Sequence, residues 1–262
     1  EIFGPVLHVA KFKASKLDDV IQAINATGYG LTFGLHSRID DRVETVCQQV
    51  RAGNIYVNRN QIGAIVGSQP FGGEGLSGTG PKAGGPHYLT HFTQPELVTA
   101  IDSPASKPVK LKSVQTAIDQ LDVDYFNEQA CEILPGPTGE SNRWASYGRG
   151  LFLCLGPTLE AAQAQADICR NAGCSALIIA PGAALDGVLA ASALTHLEGF
   201  DGVISWADEA SCRAYKTALA ARDGAILPLL AGQKNSAQLH IERHVCVDTT
   251  AAGGNVELLA SL

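Results

Sequence analysis

The second half of the chain alternates short apolar runs with helical patterns, and this alternation restricts the fold more than any other feature of the sequence. The apolar runs recur at intervals of roughly 25 residues. They are Leu151–Leu155, Ala176–Ala180, Val203–Trp206 and Ala225–Leu230, and the helical patterns between them cover Thr158–Ala172 and Glu209–Ala221. Strands joined by helices at this spacing are typical of right-handed parallel βαβ units. The pattern therefore predicts an α/β fold with a Rossmann-like parallel sheet.

The first part of the chain predicts two helices and one strand. Ser15 and Asp18 resemble a capping box in front of an apolar stripe at helical spacing. A second helix is predicted to begin near Asp40–Asp41 and to stop at Gly53–Asn54, and a short strand is predicted over Ile55–Val57. Cys47 falls on the apolar face of the second helix, so we predict a core thiol rather than a nucleophile there.

Glycine is concentrated between residues 63 and 85, most densely over Gln69–Gly80. Such a stretch disfavours regular structure and lets the main chain approach a ligand closely. It is not a P-loop, because no Gly-Lys-Ser/Thr follows, and it lacks the entering strand and leaving helix of a dinucleotide fingerprint. Composition alone leaves open a surface loop with tight turns or a pocket lined by backbone N–H groups.

Charge and composition exclude several classes of protein. The net charge is −7 and no cluster of Lys and Arg occurs, which disfavours nucleic-acid binding. No apolar run reaches membrane-spanning length, and no leader pattern stands at the start. Seven scattered cysteines indicate reduced thiols and a cytoplasmic protein, with peripheral membrane association of the full protein left open. The spacing of His240, His244 and Cys246 fits no familiar zinc pattern, so we predict no metal site.

Three motifs resemble the aldehyde dehydrogenase superfamily: Glu1–Val6, Asn54–Asn58 and the Gly-rich string Pro70–Gly78. Their continuations, Asn58–Gly67 and Ser77–Leu89, resemble the Δ1-pyrroline-5-carboxylate dehydrogenase module of the proline utilization A family. The resemblance covers residues 1–100 and implies oxidation of glutamate semialdehyde with NAD. It also implies a FAD-containing proline dehydrogenase domain upstream, because the chain lacks Met and begins inside a family motif.

The resemblance places no catalytic residue in this chain. The family's nucleophilic Cys lies before the motif at Glu1, so we expect the isolated chain to be inactive. By the same resemblance, Glu1 binds the ribose hydroxyls of NAD, Phe3 packs by the nicotinamide, and Leu31 lies near it, with a core position as the alternative for Leu31.

The substrate-binding residues are also assigned by resemblance. Gly63 and Ala64 match the loop whose backbone N–H groups anchor the substrate carboxylate, and Phe71 matches an aromatic residue that packs on its aliphatic part. Some relatives carry Ser at the position of Ala64, so a side-chain bond is expected to be absent here. Glutamate semialdehyde, in equilibrium with Δ1-pyrroline-5-carboxylate, is thus the expected substrate.

Residues 139–157 and 172–181 resemble the start of an aldehyde dehydrogenase NAD-binding domain, but the copy is degenerate. Ala180 stands where the family places a Lys for the adenosine ribose. We therefore predict that this second Rossmann-like domain is structural and does not bind NAD.

The resulting fold class is the C-terminal part of an aldehyde dehydrogenase catalytic domain followed by a degenerate Rossmann-like domain. The expected boundaries are a dehydrogenase module over 1–100, a linker over 101–112, the accessory domain over 113–245 and a tail over 246–262. The tail is expected to pack on the dehydrogenase module, next to the cavity through which the intermediate passes. A non-catalytic interaction module and a generic NAD-dependent aldehyde dehydrogenase remain alternatives, and homo-oligomer formation stays open.

A substitution at Gly63 tests whether this loop anchors the substrate carboxylate. Replacing Gly63 by Pro removes an N–H group and fixes φ. In the full-length enzyme, Gly63→Pro should raise the Michaelis constant for the semialdehyde, as measured by steady-state kinetics. Unchanged kinetics would rule out the anchoring role.

Overall fold

The structure is a computed structural model that describes residues 4–62, 64–92, 101, 106–232 and 236–250. The strands are β1 (Tyr29–Gly30), β2 (Thr32–Leu35), β3 (Asn54–Val57), β4 (Glu74–Gly75), β5 (Glu128–Leu134), β6 (Glu140–Gly148), β7 (Leu151–Cys154), β8 (Ser175–Ile178), β9 (Gly202–Ile204), β10 (Leu229–Leu230) and β11 (His240–Asp248). The α-helices are α1 (Leu17–Ala26), α2 (Asp40–Gln49), α3 (Leu111–Asp119), α4 (Leu159–Asn171) and α5 (Glu209–Ala220). Short 3₁₀-helices cover Ala14–Lys16, Tyr88–Phe92, Ala191–Thr195 and Ser236–Leu239.

The predicted parallel sheet is present in the second half of the chain. Its four strands follow the order β10-β9-β7-β8, and each neighbouring pair is parallel. Leu151 and Leu153 of β7 pack into one apolar cluster, whereas Phe152 and Cys154 pack into another. A parallel sheet needs cover on both faces, and β7 reads as a continuous apolar run for that reason. The α/β fold class is confirmed.

The helix boundaries follow the predicted caps in the second half but not in the first. The Thr158 hydroxyl accepts from the Ala161 N–H at 3.2 Å and starts α4, as the sequence predicts. The capping box proposed for Ser15 is wrong, because Ser15 lies in the 3₁₀-helix and Lys16 stands at the start of α1 without a side-chain cap. Only Leu229–Leu230 of the predicted last strand pairs, directly after Pro228, which has no N–H to donate.

A second, five-stranded sheet joins the two parts of the chain. Its order is β2-β3-β11-β6-β5. Strand β11 pairs parallel with β3, from His244 opposite Asn54 to Val247 opposite Val57, and antiparallel with β6 along its whole length. The sequence did not predict β5 or β6. Strand β11 crosses the expected boundary at residue 245, while the domain limits themselves stay a prediction.

The two faces of this five-stranded sheet differ in polarity. Ile55 and Val57 of β3, with Val245 and Val247 of β11, point into an apolar cluster that includes residues of α1 and α2. Cys47 packs against the same cluster, as predicted from its position on the apolar face of α2. Because side chains alternate along a strand, the intervening residues of β3 and β11 lie on the opposite face, which is polar.

The Gly-rich stretch has little regular structure, as expected. Strand β4 pairs antiparallel with β1, and a single bridge joins Phe71 to Ala83. Within the part of the chain that the structure describes, no helix has the length and apolar character needed to cross a bilayer. The expected tail contact falls largely on residues 251–262, which lie outside the described residues.

Close approach of the Gly-rich stretch to β3 yields a prediction about stability. A Cβ added to Gly53 would lie 1.9 Å from the carbonyl oxygen of Gly72, whereas one added to Gly72 would meet its nearest atom at 3.4 Å. Gly53→Ala should therefore lower the free energy of unfolding by about 3 kcal/mol, because backbone must move.

The matched control is Gly72→Ala, which should change that free energy by less than about 1 kcal/mol. Denaturant unfolding of both variants measures the difference. Equal stability of the two variants would contradict the close approach of the two segments.

Candidate functional site

The structure describes three of the six residues expected in the site, namely Leu31, Ala64 and Phe71. Glu1, Phe3 and Gly63 lie outside the described residues, so their roles stay predictions. Leu31 lies between β1 and β2 with 41% of its surface exposed, and it is therefore not part of the core. Ala64 is exposed in the loop after β3, and Phe71 is 38% exposed.

The main chain around Phe71 is fixed by Asn54, a fully buried residue at the start of β3. The Asn54 amide donates to the Pro70 carbonyl at 2.8 Å, and its Oδ1 accepts from the Gly72 N–H at 3.2 Å. Phe71 itself exchanges two backbone hydrogen bonds with Ala83, of 3.0 and 2.9 Å. The backbone of Phe71 is thus held on all sides while its ring stays partly exposed.

Lys82 adds a second hold on the same turn. Its Nζ donates to Asn54 Oδ1 at 2.9 Å and to the Gly72 carbonyl. Lys82 is only 2% exposed, and burial lowers its pKa to about 7, although the carboxylates of Glu242 and Glu74 act in the opposite direction. A lysine buried at this cost is held by specific acceptors rather than by solvent.

Glu242 of β11 connects the Gly-rich stretch to the second part of the chain. Its Oε2 accepts from the Lys82 backbone N–H at 2.8 Å, and its Oε1 lies 2.8 Å from His87 Nδ1. The ring of His87 stands edge-on to Trp144 of β6, with centroids 5.3 Å apart. One carboxylate therefore holds two points of the loop against the sheet.

Arg243, the next residue of β11, forms a buried ion pair with Glu74. Its Nε and Nη2 donate to the two carboxylate oxygens at 3.1 and 3.2 Å. Arg51 approaches the same carboxylate at 3.4 Å and stacks on the ring of Tyr125, 4.2 Å from its centroid. Two parallel bonds to both oxygens make this a bidentate pair, which fixes geometry as well as charge.

Four residues of this candidate site were not predicted from the sequence: Asn54, Lys82, Glu242 and Arg243. The available signal was the strand Ile241–Val247, in which charged residues interrupt an apolar alternation. Charged residues are almost never fully buried unless they are paired. A prediction that β11 is an interior strand would have required buried partners for them.

On the polar face of the five-stranded sheet, several buried side-chain atoms lack a well-formed hydrogen bond to any of the residues that the structure describes. They are Tyr56 OH, Asn142 Oδ1, Trp144 Nε1 and both ring nitrogens of His244. His244 is fully buried, and burial followed by the charge of Lys82 lowers its pKa to about 4. The imidazole is therefore neutral at physiological pH.

At the far end of that face, Arg59 binds Glu140 and lies 3.0 Å from the Cys246 sulfur. Gln69 and Asn142 also donate to Glu140, at 2.8 and 2.9 Å. Burial alone would raise the pKa of Glu140, but these bonds and the Arg59 charge lower it below its usual value. Burial raises the pKa of the Cys246 thiol to about 11, so Cys246 is protonated and unsuited to nucleophilic attack.

The carboxyl end of the four-stranded sheet is where a Rossmann fold binds its nucleotide. The cavity there is lined by Leu155, Gly156 and Tyr215 among others and has a volume of about 40 Å³. Ligand pockets usually measure about 300–1,000 Å³. The cavity is smaller than such pockets, and the absence of NAD binding by this domain stays a prediction. Among the described residues, no group of three or more His, Cys, Asp or Glu side chains is arranged to hold a metal ion.

Comparison with known proteins identifies relatives of both parts of the chain. Residues 1–98 match the aldehyde dehydrogenase family. The bifunctional protein PutA of Escherichia coli is 39% identical over 300 residues, which cover 99% of this chain and 23% of that protein. The human mitochondrial Delta-1-pyrroline-5-carboxylate dehydrogenase is 42% identical over 107 residues, covering 40% of this chain and 19% of the relative.

A solved structure supports the fold over most of the chain. Proline utilization A of Corynebacterium freiburgense matches 89% of this chain and 24% of its own, with a TM-score of 0.54 and 22% identity. The chain spans less than a quarter of the length of the PutA relatives described here. The chain therefore aligns with one section of those longer proteins.

The low pKa of His244 predicts a pH dependence of stability. Its ordinary value is 6.5, so the folded state binds fewer protons than the unfolded state between about pH 4 and pH 6.5. Stability due to this group is complete above that window and is lost as the pH falls through it. The shift corresponds to about 3 kcal/mol.

His244→Gln should remove this part of the pH dependence, as measured by denaturant unfolding at several pH values. The matched control is His196→Gln, at an exposed position in the second half of the chain. A His244→Gln variant with the same acid slope as wild type would contradict the buried neutral imidazole.

Proposed function

We propose that this chain is part of a bifunctional enzyme that oxidises proline to glutamate, because residues 1–98 match the aldehyde dehydrogenase family and 99% of the chain aligns with a PutA protein. Its first part contributes to the NAD-dependent oxidation of glutamate semialdehyde. Its second part is a structural domain that supports transfer of the intermediate between the two reactions. We place the enzyme in the cytoplasm.

The observation that carries the proposal is the rigid presentation of Phe71. Its backbone is bonded through Asn54 and Ala83, yet its ring remains partly exposed. An aromatic residue held in this way provides an apolar surface without losing much conformational entropy when a ligand binds. We assign this ring to the aliphatic part of the semialdehyde, and the backbone of Gly63 and Ala64 to its carboxylate.

Exposed apolar residues in the first part support the view that more protein covers it. Large apolar side chains are exposed at Val6, Leu7, Val9, Phe12, Ile62, Ile65, Val66 and Leu89. Where exposed apolar side chains lie together on a surface, they usually mark a contact with another segment or subunit. We assign it to the remainder of the catalytic domain, which also supplies the nucleophilic Cys.

Leu31 fits the edge of a cofactor site, because its side chain is exposed between two short strands that are fixed by backbone bonds. NAD accepts a hydride when it is bound, and Leu31 would pack beside the nicotinamide while Glu1 and Phe3 complete this side of the site. FAD belongs to the upstream proline dehydrogenase domain, and no residue of this chain is assigned to it.

The pairing of β11 with β3 favours a non-catalytic role for the second part of the chain. Strand β11 supplies the neighbour that completes the sheet beside β3, and a parallel strand without that neighbour would leave its N–H and C=O groups unpaired. This domain would therefore stabilise the catalytic module even without a ligand of its own.

The experiment compares two aldehydes in the intact protein, with NADH formation as the readout. Glutamate semialdehyde should be oxidised with a kcat/KM about a hundredfold or more above that of butanal, because butanal lacks the carboxylate that the loop is expected to bind. The chain of residues 1–262 alone should form no NADH with either aldehyde.

Equal kcat/KM for the two aldehydes would contradict the substrate assignment and favour a generic aldehyde dehydrogenase. NADH formation by the isolated chain would contradict the upstream position of the nucleophile. Both outcomes are measured with the same assay and at matched protein concentration.

A further inference from the structure

We propose that Lys82 and Glu242 are positioning residues for substrate binding, through which a strand of the second part of the chain sets the position of the Phe71 ring in the first part. The inference rests on the proposed function in one respect, namely that Phe71 contacts the substrate. Its structural content, a clamp on residues 70–72, rests on the hydrogen bonds alone.

The inner contact of the clamp is the side chain of Lys82. Its Nζ is shared between Asn54 Oδ1 and the carbonyl of Gly72, so it ties β3 to the residue that follows Phe71. Asn54 Oδ1 also accepts from the Gly72 N–H. Both backbone groups of Gly72 are thereby bonded to one pair of buried side chains.

The outer contact is Glu242, which fixes the backbone of Lys82 rather than its side chain. Its carboxylate accepts from the Lys82 N–H at 2.8 Å and contacts His87 at the same distance. The neighbouring residue Ala83 forms the backbone bridge to Phe71. Displacement of Lys82 would therefore reach Phe71 by two routes, through Ala83 and through Gly72.

Burial explains why this connection is rigid. Glu242 is 6% exposed, its own position in β11 is paired with β6, and β11 gains its second neighbour, β3, from His244 onward. Water cannot replace a lost partner at such a depth without new space, so the clamp has one arrangement of low energy. Glu242 lies 160 positions from Lys82 in the sequence, which places the control of the loop in the second part of the chain.

Lys82→Met in the intact protein is the first test. Methionine keeps most of the apolar stem and removes the ammonium, which leaves the Gly72 carbonyl without its partner. We expect the KM for glutamate semialdehyde to rise about five- to tenfold while kcat changes by less than about twofold, the pattern of a lost ground-state contact. The matched control is Lys216→Met on the exposed face of α5, which should leave both constants unchanged.

A double variant separates positioning from general loss of stability. Phe71→Ala should raise the KM by itself, and Lys82→Met combined with Phe71→Ala should be no worse than Phe71→Ala alone, because Lys82 acts through the ring. Multiplication of the two single effects would overturn the proposal. So would a normal KM in Lys82→Met when Phe71→Ala raises it.

Glu242 provides an independent test should Lys82→Met fail to fold. Glu242→Ala removes both acceptors, whereas Glu242→Gln keeps one of them, so the KM should rise in the first variant and recover partly in the second. Equal kinetics of Glu242→Ala and wild type would overturn the role of β11.

Amide hydrogen exchange tests the clamp in the absence of substrate. In Lys82→Met and Glu242→Ala, the amides of Phe71, Gly72 and Ala83 should exchange at least about tenfold faster than in wild type and in Lys216→Met. Unchanged exchange at these amides overturns the proposal. If Phe71→Ala leaves the KM unchanged, the proposed contact between Phe71 and the substrate is wrong, and so is the effect of the clamp on substrate binding. The exchange rates then still decide whether the clamp itself exists.

Discussion

The pairing of β11 with β3 is the interaction on which the rest of the structure depends. It merges a segment from the end of the described chain with one from the first part into a single sheet. Every contact between the Gly-rich stretch and the second part that involves Glu242 or Arg243 requires this register. Glu242 and Arg243 are consecutive and lie on opposite faces of the sheet, so a shift by one residue would exchange their faces, because the side-chain period of a strand is two.

The two faces of that sheet are stabilised by different physics. On one face, aliphatic residues of β3 and β11 pack against α1 and α2, where burial of apolar area provides the driving force. On the other face, Asn54 and Glu242 meet the Gly-rich stretch, and their desolvation is offset by hydrogen bonds to backbone groups of that stretch. The polar face is therefore costly in desolvation, and its hydrogen bonds fix the loop at several points of its main chain.

Elements that are specified by local sequence patterns could be predicted from the sequence, whereas elements that depend on distant contacts could not. The parallel sheet was predictable, because β7, β8 and β9 are short apolar runs separated by helices with local caps such as Thr158. Strands β5 and β6 were not, since β5 is exposed along nearly its whole length and shows no alternation of burial. The missed cap at Ser15 has a similar cause, because the chain forms a 3₁₀-helix there before α1 begins.

The candidate site was predictable only where a local motif carries it. Phe71 and Ala64 stand in motifs that resemble a family, so their neighbourhood could be named from the sequence. Lys82 and Glu242 could not be matched, because their contact depends on a strand register between segments 160 positions apart. No local sequence pattern predicts such a pairing, and a single sequence offers no homologous sequence with which to compare it.

The order of the strands also has a consequence for synthesis on the ribosome. Strand β3 receives its second neighbour from β11, whose paired residue His244 follows Asn54 by 190 positions (244 − 54). At bacterial and eukaryotic rates of translation, these residues take about 10–40 s to make. During that time one edge of β3 has no permanent partner, and the Gly-rich stretch lacks Glu242 and Arg243. The nascent chain therefore passes through a period in which an unpaired strand edge must be kept from associating with other chains.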